Sequence, residues 1–108
     1  IGQMFPDNDP RYKDISSLEL LRRIVSRCER EGYILNNGDG TILAEHPKLA
    51  SFIPGMRENL ARLFEVPVEK INVKATTSEG LGFCGREEGM AALAVVTLIR
   101  AGREAKCP

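Results

Sequence analysis

Three segments of this 108-residue chain carry polar side chains at spacings suited to chemistry. The densest is Thr76-Thr77-Ser78-Glu79-Gly80-Leu81-Gly82-Phe83-Cys84-Gly85-Arg86. Three adjacent hydroxyls, then glycines, then an arginine make a phosphate cradle. Hydroxyls and backbone amides donate to phosphate oxygens, and a guanidinium such as Arg86 binds them bidentately. The order GxxxxGK[ST] is missing, so this is not a Walker loop. A second segment, Ala44-Glu45-His46-Pro47-Lys48-Leu49-Ala50, follows an extended run. Strand ends that open into loops are common ligand positions in α/β sheets. Lys48 would neutralise a phosphate there, and Pro47 would fix backbone N–H and C=O groups toward a ligand. The plainer reading is a solvent-exposed lysine beside an exposed loop histidine, His46. The third segment is Phe5-Pro6-Asp7-Asn8-Asp9-Pro10. Asp7 and Asp9 would hold a divalent cation or a sugar hydroxyl. Against that stands ordinary turn chemistry, in which Asp before Pro caps a bend.

Composition narrows the partners. Fifteen Lys/Arg offset fifteen Asp/Glu, so the net charge is zero. A domain that holds nucleic acid by its backbone carries a net basic surface, so that role is disfavoured and any anion site is local. Three cysteines, Cys28, Cys84 and Cys107, have no Cys-x-x-Cys spacing. That favours a reducing cytoplasm over a disulfide framework. One histidine and three scattered cysteines are a poor source of the three or four ligands that zinc takes. The longest apolar run, Met90 to Val96, is too short to span a bilayer, so no membrane role is expected. No secretory signal is expected before the fold. The chain opens at Ile1 without a methionine; we expect the later part of something longer.

The elements that must position these loops follow from periodicity. Residues 1–15 read as a loop. Ser16 or Ser17 caps a helix in which Leu20, Leu21, Ile24, Val25 and Cys28 share one face, and Gly32 ends it. The arginines opposite are either a basic patch or, by preference, a solvated face. Tyr33 to Glu45 reads as one long strand or two short ones. Within it Asn36-Asn37-Gly38-Asp39-Gly40 is either a hairpin turn or a strand bulged by glycine. A second helix covers roughly Ile53 to Phe64, with Pro54 in its first turn and Met56, Leu60, Leu63 and Phe64 on its apolar stripe. Ile71, Val73 and Ala75 alternate with Asn72, Lys74 and Thr76 as a half-buried strand. A loosened glycine loop follows. Met90 to Ile99 has the length and composition of either helix or strand. The tail from Gly102 to Pro108 is expected to fray. The order fits a single α+β domain over 1–108: a two-layer α/β sandwich with helices on one sheet face. The other face is left bare, which implies an oligomer.

In order and spacing, FPDNDP, AEHPKL and NVKATTSEGLGFCGREEG resemble the later two-thirds of the 2-C-methyl-D-erythritol 2,4-cyclodiphosphate synthase family. That family's usual forms are close to FPDTDP, AQxPKL and NVKATTTExLGFxGRxEG. The resemblance implies a bacterial cytoplasmic or plastid enzyme of the non-mevalonate isoprenoid route, a phosphorus–oxygen lyase. It converts 4-diphosphocytidyl-2-C-methyl-D-erythritol 2-phosphate to the 2,4-cyclodiphosphate with release of CMP. It also implies a homotrimer with active sites between subunits and a last segment, Met90 to Ile99, that is a strand. The alternative is a non-catalytic nucleotide- or diphosphate-binding trimer without the zinc site.

By the same resemblance, Ile1 and Gly2 match the end of a ribose-contacting motif. Phe5, Pro6, Asp7, Asn8 and Asp9 match the loop near the methylerythritol and phosphate. Ala44, Glu45, His46, Pro47, Lys48, Leu49 and Ala50 match the cytidine loop. There backbone groups read the base edge, with Lys48 near the phosphates. Thr76, Thr77, Ser78 and Glu79 match the diphosphate cradle, with Thr77 at the position that stabilises the transition state. Glu79 matches a carboxylate near a second divalent ion, magnesium or manganese. Phe83 and Arg86 match residues lining the site and the trimer-axis cavity. The family's zinc ligands fall upstream of the matching segment, so this chain alone is expected to hold no metal and to be inactive. Gly38 replaces a branched apolar residue, which would loosen its strand. Glu45 and His46 depart from the usual Gln-x-Pro-Lys form.

Overall fold

The computed structural model describes residues 2–101; Ile1, and residues 102–108 with Cys107 and the tail expected to fray, lie outside the described residues. The chain divides into two compact units, Ile1–Ile34 with Arg100–Pro108 and Leu35–Ile99.

In the first unit the opening loop closes on itself. Phe5 is buried with its ring edge-on to Tyr12, centroids 5.3 Å apart. The Arg11 and Arg23 guanidinium groups lie over the Tyr12 ring at 5.3 and 5.8 Å. Helix α1 spans Ser17–Arg30, and Ser16 is the cap, its hydroxyl accepting from Leu18 N–H at 3.2 Å. Leu20, Leu21, Ile24, Val25 and Cys28 are half-buried along one side. On the other side Glu19 pairs with Arg22 and Arg23, and Arg27 with Glu31. These arginines therefore form a solvated, ion-paired face, and the basic-patch alternative fails. Gly32, with φ of 89°, takes the chain out of the helix.

The second unit is built on a three-stranded sheet of order β2-β1-β3, with β1 at Tyr33–Leu43, β2 at Ile71–Thr76 and β3 at Ala91–Arg100. β1 and β2 are parallel, in register from Gly38 opposite Ile71 to Leu43 opposite Thr76. β3 lies on the other side of β1, and the last segment is a strand despite its alanines. Helix α2, Ile53–Phe64, packs on β2. Leu60, Ala61 and Phe64 meet Leu35, Ile71 and Val73, with Val66 and Val68 closing the edge. Arg57 fastens the helix to the strand start by donating to the Ile71 carbonyl (2.8 Å) and the Val68 carbonyl (3.1 Å).

Two expectations need correcting. The NNGDG stretch is not a hairpin turn, because β1 runs straight through it. The competing reading of a strand through the stretch holds. Leu35 joins the core, and three residues on Gly38 also faces it, so the alternation slips by one between them. Asn36 Nδ2 donates to Thr97 Oγ1 (3.2 Å), and that hydroxyl donates to Asn37 Oδ1. Two consecutive asparagines thus share one threonine hydroxyl.

The glycine loop, expected to be loose, is well bonded. It contains a one-turn helix, α3, at Gly82–Gly85. Gly85 N–H donates to the Leu81 carbonyl (3.1 Å), Arg86 N–H to Gly82 (3.0 Å) and Glu88 N–H to Phe83 (2.9 Å). Gly85 lies so close to Gly80 that an added Cβ would stand 2.6 Å from Gly80 Cα and 2.5 Å from its carbonyl oxygen. The loop is a knot whose crossing point admits no side chain.

The sheet face away from α2 is bare along its edge strand. Val96 Cγ1 lies toward Gly38 and the core, so Val95 and Thr97 point the other way. Val95 and Leu93 are 69% and 66% exposed.

Candidate functional site

Parallel pairing puts the carboxyl ends of β1 and β2 side by side, so the loops that follow them open at one edge. Ala44 N–H donates to the Thr76 carbonyl (3.0 Å) and carries the pairing one residue into the loops. Between them lies an open cleft of about 220 Å³. Its first wall is Ala44, Glu45, Pro47, Lys48, Leu49 and Ala50; the facing wall is Ala75, Thr76 and Thr77, with Ile53 of α2 as the floor. Two of the three segments singled out by sequence therefore meet at one place.

The hydroxyls there are not equivalent. Thr76 Oγ1 donates to the Thr77 carbonyl (3.2 Å), and Ser78 Oγ to the Leu81 carbonyl (2.7 Å). Thr77 Oγ1 instead accepts, from Glu79 N–H at 3.3 Å. Its proton points to no acceptor among the described residues. Across the cleft, Lys48 is exposed and pairs with no carboxylate of the described residues. A free O–H donor and a free ammonium at one rim can receive an anionic oxygen.

Glu45 and His46 hold the first wall to its neighbours. Glu45 Oε1 accepts from Ser78 N–H (3.3 Å) and Gly80 N–H (3.1 Å), with Ser78 Oγ at 3.3 Å. The Ser78 and Gly80 amides, which a phosphate cradle would use, are thus already engaged. His46 Nε2 lies 3.0 Å from Glu87 Oε1. In sequence Glu45 is legible only as a departure from the family's usual Gln-x-Pro-Lys form, and what it holds is not. Its partners are 33 and 35 residues away, so no local spacing signals them.

The third segment behaves differently. It belongs to the first unit, where Asp9 caps the Pro10–Tyr12 turn by accepting from Arg11 N–H (3.0 Å). The Arg11 guanidinium also donates to both Asp9 oxygens, at 3.1 Å through Nε and 2.7 Å through Nη2. Those side-chain bonds, then the backbone one, hold the Asp9 carboxyl below the usual carboxylate range. Asp9 N–H donates to the Pro6 carbonyl (3.1 Å), while Asp7 and Asn8 are exposed. Gly2 has open space around it. In the glycine loop Glu79 is exposed with φ of 57°, Phe83 is half exposed, and Arg86 pairs with Glu88.

Among the described residues no three His, Cys, Asp or Glu side chains converge as a metal site would require. Among the described residues the donors do not form a zinc site, and Glu79 has no second carboxylate grouped with it as a ligand for a further ion. No helix among the described residues is long and apolar enough to cross a membrane.

The fold and the cleft define an α+β protein with a polar site at the carboxyl ends of two parallel strands. The chain belongs to the YgbB family, whose pattern matches residues 1–99. It is 58% identical over 98 residues to the 2-C-methyl-D-erythritol 2,4-cyclodiphosphate synthase of Carboxydothermus hydrogenoformans, covering 91% of this chain and 60% of that protein. With the same-named protein of Pelobacter propionicus it shares 52% over 102 residues, 94% and 65% of the two chains. The chain thus spans less than two thirds of the length of these curated relatives. Among solved structures, the bifunctional IspDF of Campylobacter jejuni aligns with a TM-score of 0.86 at 43% identity, over 91% of this chain and 27% of that one. A 2C-methyl-D-erythritol-2,4-cyclodiphosphate synthase in its CDP-bound form aligns at 0.81 and 32%, over 92% and 63%.

Proposed function

We propose that this chain is the later part of a cyclodiphosphate synthase. The protein would convert 4-diphosphocytidyl-2-C-methyl-D-erythritol 2-phosphate to 2-C-methyl-D-erythritol 2,4-cyclodiphosphate and CMP. The observation that carries the reading is Thr77. In a run of three hydroxyls it alone keeps its proton unbonded among the described residues, and it does so on a cleft that also presents Lys48. The names of the relatives, and the CDP-bound form of one of them, supply the substrate class.

In this reading the backbone of Ala44–Ala50 recognises the cytosine edge and Lys48 sits near the phosphates. The 2-phosphate oxygen attacks the β-phosphorus, the bond from that phosphorus to the bridging oxygen breaks, and CMP departs with the bridging oxygen. Negative charge gathers on phosphate oxygens during the transfer. A positioned donor such as Thr77 Oγ–H stabilises that charge without having to reorganise. Gly2 and Phe5 to Asp9, and separately Phe83 and Arg86, are the further substrate-contacting positions that the family resemblance suggests. Phe5 is the buried support of its loop. Zinc, with magnesium or manganese, belongs to the whole protein, and the donors described here do not supply its site. Leu93 and Val95 on the bare sheet face suit a homotrimer, and the cytoplasm or a plastid is its compartment.

Incubating the full-length protein with the substrate and following phosphorus NMR tests this. Appearance of CMP and a cyclic diphosphate in equal amounts supports it. Tight CDP binding without turnover would favour a non-catalytic nucleotide-binding trimer. Neither binding nor turnover would sink both. Leu93→Glu with Val95→Glu should convert a trimer to monomers in sedimentation.

A further inference from the structure

The geometry points to Glu45 as the positioning residue that sets the shape of the Thr77–Gly82 loop and so aims Thr77 at the diphosphate. Its side chain leaves the first wall of the cleft and ends on the backbone of the second. Oε1 takes the amides of Ser78 and Gly80, at 3.3 and 3.1 Å. These two amides flank Glu79, whose own N–H holds Thr77 Oγ1. One carboxylate oxygen therefore fixes the residues on both sides of the one that orients the hydroxyl. Both Glu79 and Gly80 sit at positive φ, 57° and 76°. A non-glycine residue in that region is held there by its surroundings, and the Glu45 bonds are the available hold.

This explains a residue that is otherwise awkward. A half-buried carboxylate beside a diphosphate site repels the ligand unless it does something else. Here Glu45 serves as an acceptor, and an amide oxygen would accept equally well. Reach matters, since a side chain one methylene shorter cannot span the same gap. Charge does not.

The diphosphate consequence rests on the nucleotide-site reading above; the clasp itself does not. The test uses the full chain with Glu45→Gln, Glu45→Asp and Glu45→Ala. Amide exchange of Ser78 and Gly80 is measured by NMR, with Leu60 and Ala61 of α2 as the folding control. CDP and CMP are titrated into each variant by calorimetry. E45A and E45D should lose protection at Ser78 and Gly80 while α2 stays protected. Their CDP affinity should fall roughly tenfold and their CMP affinity much less. E45Q should keep both the protection and the CDP affinity. Unchanged exchange in E45A would overturn the inference. So would E45Q behaving like E45A, or CDP and CMP weakening in parallel, which is the mark of a merely structural role. If the wild-type chain binds neither nucleotide, the site reading fails, and the exchange results alone then decide the clasp.

Discussion

The Phe5–Pro10 loop and the cleft at the strand ends both show polar residues packed close in sequence, but they differ in where their hydrogen bonds go. In the first, Asp9 is satisfied from three donor atoms of Arg11 and caps a turn, and Phe5 is buried against Tyr12. In the second, Glu45 absorbs two loop amides and Thr76 and Ser78 bond to the loop's own carbonyls, yet Thr77 and Lys48 are left over. A dense polar segment is thus no guide by itself. What separates a site from a turn is the donor or acceptor that remains after the local bonds are made.

The contrast can be broken most severely at the knot of the glycine loop. Gly85→Ala would force its methyl against the Gly80 backbone. We expect loss of CDP binding and about 3 kcal/mol or more of stability, read by calorimetry and thermal unfolding. An unaffected variant would show that the loop's crossing does not shape the cleft.

Thr77→Ala comes next. If the full-length protein is the proposed synthase, Thr77→Ala should lower kcat by about a hundredfold, roughly 3 kcal/mol, and raise KM less, because a bond that strengthens as charge develops acts on the transition state. Thr77→Ser keeps the hydroxyl and should keep most of the activity. If Thr77 only satisfied the turn, the loss would appear in Tm with kcat intact.

These positions show what a single sequence can and cannot disclose. Helix α2 begins and ends where its stripe and Pro54 put it, since both signals are local. The AEHPKL and TTSEG segments were recognisable, and the strand–loop order placed them at strand ends. At Asn36–Gly40 the sequence leaves turn and strand both open, because turn-forming residues speak only for local preference. Pairing to β2 from Gly38 onward, with β3 on the other side, overrides that preference. The order within the glycine loop was equally hidden. It depends on Gly85 meeting Gly80 and on Glu45 reaching across, and neither contact leaves a periodic trace.

Smaller effects sharpen the comparison. Gly38 faces Val96 Cγ1 at 3.5 Å and Ile71 Cδ1 at 3.7 Å from the position of an added Cβ, which is ordinary contact distance. Gly38→Ala should therefore stabilise the strand by about 0.5–1 kcal/mol, seen as a higher denaturation midpoint. A loss would mean that the strand needs glycine at this position. The smallest effect concerns Asp39, which accepts from Lys74 Nζ at 2.7 Å and from Asn72 Nδ2 at 2.8 Å. The Lys74 bonds, then that of Asn72, hold its carboxyl below the usual range. A carboxylate lowered on folding contributes stability that is present above its unfolded value, about 3.9, and lost as the pH falls through the lower folded one. The stability gap between wild type and Asp39→Asn should accordingly close below about pH 4. A gap that stayed constant down to pH 2 would show that the Lys74 link does not couple to folding.

The central claim is that the cleft between the Ala44–Ala50 and Thr76–Gly80 loops receives a cytidine diphosphate. Titrating CDP into the isotope-labelled full chain while following backbone amides tests it most directly. The account predicts saturable shifts at Glu45, Lys48, Leu49, Thr76 and Thr77, with Asn72 to Lys74 unmoved and UDP much weaker. Saturable shifts that bypass both loops, or equal response to UDP, would contradict it.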